Sequence, residues 1–145
     1  MALGAKGWLL RPALLILMLL AFPSVAPVHA GRPDPMGFWM TEDGTAMVDI
    51  EPCGAMLCGN IAWSAKTVNA KGRPLCRRTI LGDVEKTGPH AWGKGWIYVP
   101  KTDDKYPVTF TITPEGSLAI HVAVGLMGRD QTWKRPAEAP ALCSQ

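Results

Sequence analysis

"TAMVDIEPCGAMLCGNIAWS", residues 45–64, reads as a strand, a turn and a second strand. Ala46, Val48 and Ile50 fall on one side of an extended chain, and Thr45, Asp49 and Glu51 on the other. This period of two marks a strand with one buried face. The break comes at "PCGAML", 52–57, so Cys53 closes the first strand and Cys58 opens the second. Residues flanking a hairpin loop lie roughly 4.5–5.5 Å apart, inside the Cα separation of roughly 4.4–6.8 Å that a disulfide needs. A Cys53–Cys58 bridge is the natural outcome. Its loop is short, so it contributes only about 2 kcal/mol and acts mainly by fixing the register. The C-x4-C spacing is not that of a thioredoxin-like redox pair. The remaining Cys and His residues have no zinc-finger spacing, so no metal site is expected. Cys76 and Cys143 pair by elimination, a long-loop bridge worth about 4 kcal/mol.

Disulfides need an oxidising compartment, and the N-terminus points to one. "MALGAKGWLLRP" carries Lys6 and Arg11 ahead of an apolar run, "ALLILMLLAF", too short to span a bilayer. "PSVAPVHA" then places Val28 and Ala30 at the −3 and −1 positions of a cleavage site. Residues 1–30 are read as a secretory signal peptide and left out of the fold. The mature chain, Gly31 to Gln145, keeps 13 basic residues against 12 acidic, a net charge of +1 once Lys6 and Arg11 are gone. It has no basic run to suit a nucleic acid, and no stable membrane insertion is expected after cleavage. It is long enough for one domain with one core.

The alternation of 45–51 recurs. Tyr106, Val108, Phe110 and Ile112 alternate with Pro107, Thr109 and Thr111. Leu118, Ile120, Val122 and Val124 alternate with Ala119, His121 and Ala123, and "TPEG", 113–116, joins the two runs as a hairpin. Shorter strands are expected at Gly37–Met40, Cys58–Ser64, Gly95–Val99 and Asp130–Lys134, with an eighth within Leu75–Leu81. The Gly-rich "GDVEKTGPHAWGKG", 82–95, reads as an irregular loop. Residues 31–35 form a disordered lead-in, 36–135 the folded domain and 136–145 a Pro-rich tail. Seven or eight short one-sided strands in so short a chain favour an all-β, up-and-down antiparallel barrel over a two-sheet sandwich, because closure removes exposed edges.

Catalytic signals are sparse. There is no G-x-S-x-G elbow. His121 falls on the polar face of its strand, His90 lies in a loop, and Glu42–Asp43 and Asp103–Asp104 fall in turns, where Asp suits the backbone. Aromatic side chains are the unusual feature: Trp39, Trp63, Trp92, Trp96 and Trp133, with Tyr98 one pleat from Trp96. They are either core or the lining of a pocket in the barrel mouth. Arg129, in "GRDQTW", either pairs with a ligand carboxylate or lies over an indole.

"GFWMTEDGTAMVDIEPCGAMLCGNIAW", "RPLC", "WGKGWIYVP" and "GRDQTW" together resemble the family catalogued as domain of unknown function 2147, small exported bacterial proteins. The resemblance covers Met36 to Lys134 and implies a lipocalin-type (calycin-like) barrel. It implies no activity and no cofactor. This chain departs from the pattern after "RPLC", where Arg77 and Arg78 replace the usual Gly, and after "IY", where "VPKTDDKY" replaces an Asp-Pro turn. The expected function is non-enzymatic. The protein binds a small hydrophobic or amphipathic ligand in the barrel mouth, lined by Trp39, Trp63, Trp96 and Tyr98 with Arg129 nearby. The alternative is a cell-envelope interaction module with a filled core, whose loops 65–74 and 82–95 contact a protein or a cell-wall glycan. The expected location is the periplasm of a Gram-negative bacterium, or outside the cell.

Export should leave Gly31 as the first residue, because Val28 and Ala30 fit the cleavage rule. Intact mass of protein from cells with working export is expected to lack residues 1–30; a mass that retains them contradicts the reading.

Overall fold

The computed structural model describes residues 1, 3–4, 34–138 and 141–143. The expected cleavage point at Gly31 and nearly all of the leader lie outside the described residues. The rest is one antiparallel sheet of eight strands in sequence order: β1 Gly37–Met40, β2 Ala46–Cys53, β3 Met56–Ser64, β4 Thr79–Gly88, β5 Ala91–Val99, β6 Asp104–Ile112, β7 Leu118–Val122 and β8 Arg129–Trp133. An antiparallel bridge between Met40 and Lys134 brings the first strand to the last. Met40 N–H donates to the Lys134 carbonyl at 2.8 Å, and Lys134 N–H to the Met40 carbonyl at 3.1 Å. The sheet is thus a nearly closed up-and-down barrel, as the alternation predicts.

Residues paired across antiparallel strands share a face. Trp39, Val48 and Ile61 stand opposite one another on β1, β2 and β3, as do Val108 with Val122 and Phe110 with Ile120 on β6 and β7. All seven are 2 % exposed or less. Trp92 stacks on Phe110 with ring centroids 5.7 Å apart. Trp133 and Leu118, opposite each other on β8 and β7, complete one continuous apolar cluster inside the wall.

Both disulfides form, with Cα atoms 5.5 Å apart for Cys53–Cys58 and 5.7 Å for Cys76–Cys143. The first hairpin is tighter than its sequence suggests. Cys53 pairs with Met56 and Cys58 with Glu51, so the bridge runs diagonally across the ladder. The second bridge holds the tail beside β3, where Cys143 N–H donates to the Ala62 carbonyl at 2.7 Å.

One expectation fails. Residues 82–95 are not a loop but most of the β4–β5 hairpin, turning at Pro89 and His90. Correspondingly, of the strand expected in Leu75–Leu81 only its end, from Thr79, is extended. Two causes hid the hairpin. Asp83 (φ 55°) and Lys94 (φ 61°) adopt left-handed backbone between the Gly82–Trp96 and Glu85–Gly93 pairs, which breaks the alternation. The glycines, moreover, serve packing. A Cβ on Gly82 would run into the Trp96 ring, and one on Gly95 would lie 2.5 Å from the Gly82 carbonyl oxygen and from Val84. Glycine here marks close approach of two strands.

Gly95→Ala is therefore expected to lower stability by about 3 kcal/mol, and Gly82→Ala by less, because backbone must yield at the first site and a half-exposed ring at the second. Chemical denaturation of the two variants checks the order. Equal, near-zero effects would contradict the close approach.

Candidate functional site

Of the five residues expected to line a mouth pocket, Trp39 and Tyr98 belong to the interior apolar cluster and Trp96 packs against it, whereas Trp63 and Arg129 stand apart from it. Trp39 is inside the wall and 1 % exposed, its Nε1 donating to the Pro35 carbonyl at 2.7 Å, with the Arg135 guanidinium 3.9 Å from its ring centroid. Trp63 leaves the interior. The β2–β3 register shifts between Met47 and Val48, so Val48 opposes Ile61 while Met47 opposes Trp63, and Trp63 lies outside the apolar cluster. The shift reverses the phase that alternation alone would assign. Trp96 sits opposite Gly82, half-exposed. Its Nε1 donates to Asp83 Oδ2 at 2.7 Å, and the Lys105 ammonium lies 3.4 Å from its ring centroid. Arg129 opens β8 opposite Val122 and is exposed, on the same inward-facing register line as Gln131 and Trp133. Among the described residues it makes none of the cation–aromatic contacts, so the indole-stacking role expected for it is not seen.

Tyr98 also belongs to a second construction. It is 6 % exposed, and its hydroxyl donates to Asp103 Oδ1 at 2.6 Å while accepting from Asn69 Nδ2 at 2.7 Å. Asn69 Nδ2 also donates to Asp103 Oδ1 at 2.7 Å, and its Oδ1 accepts the N–H groups of Lys71 and Arg73 at 2.9 and 2.8 Å. The other Asp103 oxygen faces Lys71 Nζ at 2.9 Å and Arg73 Nη1 at 3.6 Å. Arg78 covers the Tyr98 ring at 4.6 Å from its centroid. The β3–β4 connection is thereby fastened to the β5–β6 turn by a fully satisfied polar knot. Neither Asn69 nor Asp103 stood out in the sequence. Asp103 reads only as a turn residue, and nothing in residues 65–74 marks Asn69 as buried.

The remaining candidate acids and His121 lie on the outer surface. His121 Nδ1 and Asp130 Oδ1 are 2.7 Å apart on the open outer face of β7 and β8, in a groove of about 260 Å³ shared with Thr109, Thr111 and Thr132. Glu42 accepts the Thr132 N–H at 2.6 Å beside the β1–β8 seam, where a second groove of about 500 Å³ opens. Asp43 accepts from Thr41 and Thr45 within its own turn, and these bonds hold its carboxyl below the usual carboxylate range against the opposing effect of burial. Both grooves are on the outer surface. No group of three or more His, Cys, Asp or Glu among the described residues is placed to hold a metal ion. No helix among them is long and apolar enough to cross a membrane.

The end of the barrel bearing the β1–β2, β3–β4, β5–β6 and β7–β8 connections is chemically distinct. Leu126 and Met127 project fully into solvent there, with Val124 and Val68 partly exposed.

The Tyr98 hydrogen bond, then that of Lys71 and the charges of Arg73 and Lys71, hold the Asp103 carboxyl down from 3.8 to about 2, against the effect of burial. A depressed folded-state pKa gives stability that is present above the unfolded value and lost as pH falls through the folded one. Asp103→Asn is expected to melt at lower temperature than the parent at neutral pH. The gap should close between about pH 4 and about pH 2, where the parent loses its charge. Melting curves across that range check it, and a gap that is independent of pH contradicts the ion-paired knot.

The two bridges indicate an oxidising, extracytoplasmic compartment. Among solved structures, this chain is similar to a protein from the human pathogen Helicobacter pylori described as belonging to the lipocalin family. The TM-score is 0.58 at 20% sequence identity, covering 72% of this chain and 84% of that one. The likeness is one of fold. No curated protein matches. A family model described as "uncharacterized protein conserved in bacteria" matches residues 37–135, the whole barrel, and the chain belongs to that family, domain of unknown function 2147.

Proposed function

We propose that this protein is an exported, non-enzymatic module that engages a partner in the bacterial envelope through the loops at one end of its barrel. The observation that carries this reading is the filled interior. Trp39, Trp92, Phe110 and Trp133 meet within one apolar cluster, where a carrier of large ligands keeps a lined cavity. On this reading the outer surface, where the exposed apolar side chains Leu126 and Met127 and the cationic β3–β4 connection stand, makes the contact. The compartment that suits this reading is the periplasm, because the knot and both disulfides build a domain that is stable in an oxidising space outside the cytoplasm.

A second reading is favoured by one observation. Arg129 and Gln131 occupy the inward-facing line of β8 above the core. An amphipathic ligand could rest its carboxylate on Arg129 at the rim without entering the barrel. Arg129→Gln would then weaken carboxylate ligands and spare neutral ones.

Native mass spectrometry of protein recovered from its own envelope, paired with tryptophan fluorescence titration against fatty acids and isoprenoid lipids, separates the two. The module reading expects the bare polypeptide mass and no saturable emission change from monomeric ligands. A retained small-molecule adduct, or saturable quenching that Arg129→Gln abolishes, would replace it with the rim-ligand reading.

A further inference from the structure

We infer that the β7–β8 connection docks this domain on a bilayer surface carrying anionic headgroups, with Leu126 and Met127 entering the interfacial layer. The inference rests on the module reading and names the partner for this end of the barrel.

The tip is built to hold its apolar side chains out. Gly125 (φ 59°) and Gly128 (φ 61°) bracket Leu126 and Met127, and Gly128 N–H donates to the Val124 carbonyl at 3.2 Å. The base of the turn is seated as well. Gly128 lies against the His121 ring so closely that a Cβ there would run into it, and His121 is itself held by Asp130 at 2.7 Å. The two large apolar residues are therefore presented by a short, braced turn, and their relative exposures are 106% and 92%.

Shape and charge select the partner. A stable protein interface needs a complementary patch of roughly 800 Å² on each side, far more than two side chains on a convex tip supply. A bilayer accepts any apolar protrusion and adds attraction between Lys or Arg and anionic lipid. In an up-and-down barrel the odd-numbered connections open at one end, and here they carry Lys66, Lys71, Arg73, Arg77 and Lys101, all exposed. Against them stand Glu42, Asp43 and Asp103, so with Arg78 the four connections hold six cations and three acids, a net charge of +3, Lys71 and Arg73 sharing the charge of Asp103. The connections at the opposite end, 54–55, 89–90 and 113–117, contain one acid, Glu115, and no Lys or Arg.

The test is co-sedimentation of the exported protein, its mass confirmed to lack residues 1–30, with vesicles of phosphatidylcholine alone or mixed with phosphatidylglycerol. Binding is expected only to the mixed vesicles and should weaken as salt is raised. Leu126→Asn combined with Met127→Asn should keep the parental melting temperature, since both side chains are in solvent, and lower vesicle binding at least about tenfold. Leu126→Trp should shift its emission to the blue on mixed vesicles. No sedimentation of the parent with mixed vesicles, or equal binding by the doubly substituted protein, overturns the inference. If vesicles fail while the doubly substituted protein loses a specific crosslink to an envelope protein, the lipid partner is wrong and the module reading stands. A retained internal ligand removes the module reading and this inference with it.

Discussion

Each of the eight strands has one apolar face and no place to bury it except against the faces of the others. That constraint shapes the rest of the molecule. Closing the sheet through Met40 and Lys134 gathers inward residues of β1 to β8 into one cluster. Large aromatic side chains that would line the pocket of a roomier barrel meet in the middle instead. Trp39 is as much a packing element as Val48 opposite it. Filling the interior stabilises the fold, and the same packing underlies the functional proposal.

The long β3–β4 connection lies outside the named strands and needs supports beyond its few backbone bonds. Two side-chain devices help to hold it. The Asn69–Tyr98–Asp103 knot fastens its middle to the β5–β6 turn, and the Cys76–Cys143 bridge fastens its end to the tail beside β3. A buried carboxylate without partners would be costly. Asp103 is tolerated because a hydroxyl, an amide and two cations satisfy it. Cations serve the aromatics in the same way: Arg135 over Trp39, Lys105 over Trp96 and Arg78 over Tyr98 cover rings with charged groups that remain hydrated at their far ends.

What could be read from sequence alone follows from this physics. Residues 106–112 and 118–122 are regular strands with one wet face, and 45–51 follows the same alternation apart from Met47, which is buried on the outward side, so the period is written plainly, and the cysteine pair marks a hairpin because its geometry is local. The β4–β5 hairpin was hidden because two left-handed residues, Asp83 and Lys94, break the period, and because glycine signals both turns and close strand approach. The candidate site was legible only as a list of side chains. Trp63 and Trp39 look equivalent in one dimension. A single register shift between Met47 and Val48 sends one outward and keeps the other in, and nothing in the composition of β2 or β3 announces it. The exposed tip at Leu126 and Met127 was likewise masked, since Val124 continues the apolar rhythm of β7 after the strand has ended at Val122.

The departures from the family pattern fall where the backbone is unusual. Arg77, standing where the resemblance leads one to expect Gly after "RPLC", has φ 61°, and Asp103, within the altered turn "VPKTDDKY", has φ 60°. A non-glycine residue in this region costs about 1 kcal/mol or more, so each needs compensation nearby. For Asp103 it is the knot its side chain anchors. For the Arg77–Arg78 pair it is local. Arg77 N–H donates to the Ile61 carbonyl at 2.8 Å, Arg78 N–H to the Leu75 carbonyl at 3.0 Å, and the Arg78 guanidinium closes over Tyr98. Both departures thus converge on one ring, Tyr98. In this chain, side-chain interactions around it hold the β3–β4 connection in place, and the exposed cations of Lys71 and Arg73 are fixed at the loop-bearing end as a result.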